Sequence, residues 1–118
     1  MSAAASANLA ELREALKGGR AVMRGEFDEY SVESVVQALS LSRQFTAVEL
    51  VDQGQRVIGW VFLKSGMVLA VDAPGLQTSG LEAFAQLMRM PLRSYSVYRM
   101  PPLTTYPFPI GRLSTRLL

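Results

Sequence analysis

The chain has 118 residues, of which 49% are hydrophobic and 19% charged, and its formal net charge is +2. This length predicts one domain, and the composition is typical of a globular protein. The absence of cysteine and histidine excludes disulfides, thiolate zinc sites, cysteine nucleophiles and the commonest general base. We therefore expect a protein that works through its surface, without a cofactor or a metal, and not an enzyme.

The start of the chain and its hydropathy predict a cytoplasmic location. The first seven residues, MSAAASA, lack the positive region and the apolar region of a signal peptide. No apolar run reaches the roughly 18 residues that a membrane-spanning helix needs. We expect no membrane span.

Charge is divided unequally along the chain. Residues 1–82 hold ten acidic and seven basic residues, whereas residues 83–118 hold five arginines and no acid. A cationic end of this kind suits an acidic protein, a phosphate group or an anionic surface. The alternative is that these arginines are ordinary solvated side chains. They are Arg89, Arg93, Arg99, Arg112 and Arg116.

A short helix is predicted over residues 9–17, ahead of the main domain. Leucines recur there at helical spacing after Asn8, which can cap the helix. Gly18 and Gly19 end it. Because the apolar stripe is narrow, we expect this helix to lie at the edge of the domain or on a partner. Residues 1–20 are thus a flexible start and an N-terminal helix.

Five strands are predicted, at residues 21–27, 45–51, 56–63, 67–73 and 93–99. The three central strands follow one another too closely for a crossover helix, so they must pair antiparallel. The sequence Lys64-Ser65-Gly66 predicts a tight hairpin, since Gly66 can take a positive φ.

Two longer helices complete the predicted domain, residues 21–100. Ser31 can cap a helix over 32–41, and Ser79 with Glu82 forms a capping box for a helix over 80–90. The fold class is α+β: an antiparallel sheet of four to five strands, with these two helices on one face, plus the N-terminal helix. The predicted inner faces are Val32, Val35, Val36 and Leu39 in the first helix and Leu81, Phe84, Ala85 and Met88 in the second.

The middle strand, residues 56–63, is apolar on both faces. Such a strand is either buried on both sides or bears an exposed apolar patch. Trp60 in this strand is accordingly either a core residue or the anchor of an interaction face.

The tail, residues 101–118, contains prolines together with apolar and basic residues. Ile110, Leu113 and Leu117 have helical spacing. An apolar tail of this kind either docks back on the domain or docks on a partner.

The sequence offers no catalytic constellation. It has no glycine-rich phosphate loop and no Gly-x-Ser-x-Gly nucleophile elbow. Glu49, Asp52 and Asp72 could meet in an antiparallel meander, but such carboxylates more often mark strand ends in water.

A nucleic-acid interface would interleave basic and aromatic residues on one sheet face. Arg93, Tyr95, Tyr98 and Arg99 hint at that arrangement. The rest of the predicted sheet is too apolar to support it, so no nucleic-acid partner is expected.

The order of glycines and apolar residues resembles the PATAN-type domain, a family named after the amino-terminal region of the PatA response regulator. The resemblance covers about residues 22–100, and the helix at 9–17 is an addition to it. Family members end the core with a Gly-x-Phe strand, where this chain has Tyr95 to Val97. The matching features are Gly25-x-Phe27, the helix begun by Ser31, the strand at Thr46, Gly59-x-x-Phe62-x-x-x-Gly66-x-x-x-Ala70 and Gly80-x-x-Ala83.

The resemblance implies a non-catalytic interaction module of bacterial signalling, motility or cell polarity. The implied partners are a receiver-domain response regulator and a small Ras-like GTPase of the gliding machinery, on which the module would promote nucleotide exchange. A partner would recruit it to a cell pole, and it could form a homo-oligomer. The alternative is a small-ligand-binding sensory module, with a pocket between the sheet and the two longer helices. The candidate interaction residues are Trp60, Arg89, Arg93, Tyr95, Tyr98, Arg99, Phe108, Arg112 and Arg116.

Overall fold

The computed structural model describes residues 10, 12–27, 31–41, 43–78, 80–101 and 112–113. In chain order the elements are α1 (12–16), β1 (Arg20–Glu26), α2 (Val32–Ser40), β2 (Thr46–Asp52), β3 (Val57–Lys64), β4 (Met67–Asp72), α3 (Gly80–Arg89), β5 (Leu92–Arg99) and β6 (Arg112–Leu113). The bounds predicted for the five long strands and for α2 and α3 agree with these to within one residue.

The strands form one antiparallel sheet in the order β1-β5-β2-β3-β4-β6. The predicted α+β class is confirmed, with five long strands and β6 as a two-residue addition at the edge of β4. Ser65 and Gly66 both have positive φ, at 51° and 80°, which is the geometry of the predicted tight hairpin between β3 and β4.

Helices α2 and α3 pack on what we call the first face of the sheet, above β2, β3 and β4. Ser31 caps α2 as predicted, because its hydroxyl accepts a hydrogen bond from the backbone N–H of Ser34 at 3.1 Å. The core on this face joins α2 and α3 to the strands: Val32, Val36, Val48, Leu50, Val61, Leu63, Val68, Val71, Ala83, Phe84, Leu87, Met88 and Leu92.

The predicted inner face of α3 was wrong in half of its members. Phe84 and Met88 are buried, but Leu81 and Ala85 are exposed, and Ala83 and Leu87 are buried instead. The predicted and the observed inner faces share Phe84 and Met88, and each adds one leucine and one alanine. The two faces are therefore equally apolar. Only the docking of the helix on the sheet distinguishes them.

Helix α1 packs on the opposite side of the sheet, which we call the second face. The expectation that this helix lies at the domain edge or on a partner was wrong, since Leu12 is completely buried in the cluster of the second face. Its neighbour Arg13 makes a bidentate ion pair with Asp72 of β4, at 2.6 and 2.7 Å. The cluster comprises Leu12, Phe45, Ala47, Phe62, Leu69, Ala70 and Met100.

Strand β3 is therefore buried on both sides, which decides between the two alternatives left by its sequence. Val61 and Leu63 contribute to the core of the first face, and Phe62 contributes to the cluster of the second. All three are fully buried.

In the tail, Arg112 and Leu113 form β6 and pair with Val68 and Met67 of β4. The helical spacing of the sequence was misleading here, because the open edge of β4 offers backbone groups that a strand can satisfy. At these two residues the tail docks back on the domain. Ser79, with its predicted capping box, and the rest of the tail from residue 102 lie outside the described residues.

We expect Phe84→Ala to lower the free energy of unfolding by about 3–5 kcal/mol, because a buried phenylalanine loses its contacts and leaves a cavity. Phe84 is 2% exposed, whereas Leu81 in the same helix is 39% exposed. Leu81→Ala is the matched control and should change stability by less than about 1 kcal/mol. Urea denaturation of both variants checks this. Equal losses of stability in the two variants would show that α3 does not dock on the sheet through the face that carries Phe84.

Candidate functional site

The helices leave one side of the first face uncovered. Because α3 packs mainly against β4 and α2 against β3, the helices cover the first face unevenly. Leu92 of β5 belongs to the core beneath them, whereas Met23 of β1 is 44% exposed. β1 is exposed along almost its whole length. It lies at the end of the sheet, so its outer edge has no strand partner among the described residues.

Between β1 and α2 lies an apolar groove, which we call the β1–α2 trough. It consists of two adjoining cavities of about 500 and 310 Å³ that share Met23, Ala38 and Leu39. The first also has Ser34, Val35 and Tyr95 in its walls, and the second has Val22, Gln44, Thr46, Val97 and Arg99. Most of the residues in the walls of the trough are therefore apolar, and Arg99 places a guanidinium at one end.

A bulge in β1 gives the trough two apolar residues in succession. The pairing with β5 moves from Ala21–Tyr98 to Met23–Val97, so Val22 is an extra residue. A bulge lets neighbouring side chains lie on the same face of a sheet. Val22 and Met23 both line the trough, and they are 49% and 44% exposed.

Tyr95 forms the wall at the other end of the trough, and Gly25 is the reason that it fits. The two residues are paired across β1 and β5, and a Cβ at Gly25 would overlap the ring and the hydroxyl of Tyr95. Phe27 packs against the same ring, with centroids 5.1 Å apart. The Gly25-x-Phe27 pattern thus holds Tyr95 in place.

The second face has its own uncovered area, beside α1. Cross-strand pairing places five residues in one row, which we call the polar row: Arg24, Ser96, Glu49, Trp60 and Asp72. A cavity of about 440 Å³ lies over part of it, lined by Arg24, Glu49 and Ser96 together with Glu26, Val51 and Ser94. Trp60 contacts the ring of Tyr98, with centroids 5.3 Å apart.

The two carboxylates of the polar row differ in their environments. Asp72 is paired with Arg13, and this hydrogen bond raises the pKa of Arg13. Glu49 has no hydrogen bond or ion pair with any described residue, and partial burial raises the pKa of its carboxyl group, an effect that the charge of Arg24 partly offsets. Glu49 thus lies in an environment that disfavours the charged form of its carboxyl group.

The three carboxylates considered as a cluster do not come together. Glu49 and Asp72 lie on either side of Trp60. Asp52 accepts hydrogen bonds from the backbone N–H groups of Gly54 and Arg56 in the turn after β2. Across the described ranges, no group of three or more acidic residues is placed to hold a metal ion.

The candidate interaction residues are spread over the molecule. Trp60 and Tyr98 lie on the second face, whereas Tyr95 and Arg99 lie at opposite ends of the trough on the first. Arg89 is exposed at the end of α3. Arg112 is in β6, at the far edge of the sheet from β1, and Phe108 and Arg116 lie outside the described residues.

Among the described residues, the arginines that follow residue 82 do not form one cationic end in space. Arg93 and Arg99 lie near the two ends of β5, and six residue steps along the strand separate them by about 20 Å. The sequence reasoning also missed Val22, Met23 and Arg20. The available signal was the run Ala21-Val22-Met23, which breaks the alternation of a strand and so indicates a bulge.

Comparison with known proteins gives no match: no family model, no curated protein and no solved structure matches the chain. The resemblance to the PATAN-type domain thus rests on the spacing of residues in the sequence. In the part of the chain that the structure describes, no helix is long and apolar enough to cross a membrane.

We expect Glu49→Gln to raise the melting temperature at pH 7. A raised pKa means that the native state binds the proton more tightly than the unfolded chain. The stability of the wild type therefore falls as pH rises from the ordinary carboxyl pKa of 4.5 through the raised value. The advantage of the variant should vanish at a pH below the ordinary pKa, where the wild-type carboxyl is neutral in both states.

Thermal unfolding at a series of pH values measures this difference. Glu26→Gln is the matched control, because Glu26 is an exposed carboxylate beside the same cavity. A melting temperature of Glu49→Gln below that of the wild type at pH 7 would show that an interaction with Arg24 outweighs the cost of burial.

Proposed function

We propose that the chain is a non-catalytic protein-interaction module of bacterial signalling, motility or cell polarity. The observation that carries this proposal is the β1–α2 trough together with the outer edge of β1, which has no strand partner among the described residues. Exposed apolar surface of this kind on a small domain is typical of a protein contact site. The trough is built on a packed sheet and on α2, so its shape exists before a partner binds.

The resemblance to the PATAN-type domain supplies the identity of the proposed partners. They are a receiver-domain response regulator and a small Ras-like GTPase, on which the module acts as a nucleotide-exchange factor. The proposed location is the cytoplasm, with recruitment to a cell pole by a partner. A PATAN-type interaction module needs no cofactor for this role. Self-association through the β1–α2 trough would compete with the binding of a partner.

The exchange mechanism follows from linkage between two binding equilibria. A factor that accelerates nucleotide release binds the nucleotide-free GTPase more tightly than the loaded one. Bound nucleotide then weakens the affinity of the factor for the GTPase by the same ratio. The factor is regenerated in each cycle, so a substoichiometric amount suffices.

A small-ligand-binding sensory role is the second candidate, and the cavity over the polar row favours it. Glu49, which has no hydrogen bond with any described residue, offers together with Arg24 and Ser96 the convergent polar groups that a ligand site requires. This cavity is on the second face, not between the sheet and the two longer helices. A ligand found by thermal-shift screening would have to lose its effect in Glu49→Gln for this role to stand.

We expect the protein to accelerate release of a fluorescent GDP analogue from the Ras-like GTPase at substoichiometric ratios, with the receiver partner present. Alone, it should hydrolyse neither GTP nor ATP. Met23→Lys should abolish the acceleration, because it places a charge in the trough. Val57→Lys is the matched control, since Val57 is 49% exposed on β3, away from the trough.

Stopped-flow fluorescence with and without each partner measures the release rate. A rate that stays unchanged in every combination would remove the exchange role and leave a passive adaptor. A rate raised equally by the wild type and by Met23→Lys would place the functional surface elsewhere.

A further inference from the structure

The space above β1, beside α2, has about the width of a helix. Five strands at about 4.8 Å spacing put the axes of β1 and β4 about 19 Å apart. Packed helices lie about 8–10 Å from each other. Two helices over β2, β3 and β4 therefore leave a strip one helix wide, and the β1–α2 trough occupies this strip, alongside α2.

The lining of the trough sets the chemistry of whatever fills it. Met23, Val35 and Leu39 are half-buried or exposed apolar side chains along its length. Their burial would be favourable by roughly 25 cal/mol for each Å² of apolar surface removed from water. The occupant must present an apolar stripe to these residues and a polar face to the solvent.

One end of the trough carries two opposed arginines. Arg20 of β1 is paired directly with Arg99 of β5, and Arg99 lines the trough. Like charges directly opposite each other in a sheet are destabilising. Both side chains are exposed, and neither has an ion pair with a described residue.

The other end of the trough has a different charge. Ser34 and Tyr95 form that end, and the residue before Ser34 is Glu33, which is exposed in the first turn of α2. A carboxylate on the occupant is therefore favoured beside Arg20 and Arg99. The trough has a direction.

We infer that the β1–α2 trough receives an amphipathic helix of a protein partner, whose acidic end lies between Arg20 and Arg99. This inference rests on the proposed interaction function and names the chemistry of the partner. The helix lies beside α2 and completes the helical layer of the first face. Its carboxylates replace the repulsion of the arginine pair with charge-assisted hydrogen bonds, which docking shields from water.

The probes are two synthetic peptides of 18 residues with the same leucine stripe. One carries glutamates at one end of the stripe, and the other carries lysines at the same positions. Binding is followed by the NMR signals of methionine methyl groups, because Met23 lies in the trough while Met88 is buried under α3. We expect the acidic peptide to shift the Met23 signal, to leave Met88 unchanged and to bind at least tenfold more tightly than the lysine peptide.

Charge reversal tests the arginine pair. Arg20→Glu with Arg99→Glu should reverse the preference, so that the lysine peptide binds more tightly than the acidic one. The matched control is Arg89→Glu with Arg93→Glu, which makes the same change in net charge at exposed positions outside the trough and should keep the preference for the acidic peptide. The difference between the two peptides should narrow with added salt. Circular dichroism shows whether each variant is folded. The comparison of the two peptides on the wild-type protein tests the inference even if a variant does not fold.

Three results would overturn the inference. One is a Met23 signal that neither peptide moves. Another is an equal loss of preference in both double variants, which would show a general effect of net charge. The third is a wild-type dimer in sedimentation that Met23→Lys converts to a monomer, because the occupant would then be a second copy of the chain. If nucleotide exchange persists while neither peptide shifts the Met23 signal, the proposed function stands and only the assignment of a helix to the trough is wrong.

Discussion

The burial of β3 on both of its faces is the constraint on which the rest of the structure depends. Val61 and Leu63 point to one side and Phe62 to the other, and none of them reaches water. A sheet with such a strand needs a cover on each face. Helices α2 and α3 supply one cover, and α1 supplies the other. The domain is thus a three-layer arrangement built around β3.

The cover on the second face is small and is fixed by one ion pair. Helix α1 contributes Leu12 to the cluster, and Arg13 holds the carboxylate of Asp72 with two hydrogen bonds. Removing one member of such a pair leaves the other charge uncompensated, which costs more than the pair contributes. Asp72 is the more buried partner, so the position of α1 depends on Arg13 more than the exposure of Arg13 indicates.

Because the helices on both faces are centred on β3, the β1 side of the sheet is largely exposed. Strands β5 and β1 lie furthest from β4, and both candidate surfaces lie there: the β1–α2 trough on the first face and the cavity over the polar row on the second. The position of the candidate surfaces is thus a consequence of how the core is distributed. A chain with the same strands and a third helix on the first face would have no trough.

The sequence predicted the elements well because each of them depends on local chemistry. The hairpin at Ser65 and Gly66 and the cap at Ser31 were evident in the residues themselves, and the close spacing of the central strands imposed antiparallel pairing. The rotation of α3 was not evident, because Leu81 with Ala85 and Ala83 with Leu87 offer equal apolar volume. The docking of α1 depended on Asp72, almost 60 residues away in the chain.

The candidate site was less predictable than the fold, for a related reason. Charge counted along the sequence indicated a cationic end, yet Arg93 and Arg99 face different surroundings because β5 separates them. The pair that does come together, Arg20 and Arg99, joins two distant segments through the strand register. Arg20 and Arg99 come together only because the sheet topology places β1 beside β5. No local pattern contains that information.

The two candidate surfaces are joined through β1. Met23 belongs to the trough, and the next residue, Arg24, belongs to the polar row on the opposite face. An edge strand paired on one side is among the less stable parts of a sheet. A helix bound in the trough would hold β1 more firmly and thereby restrain Arg24 near Glu49.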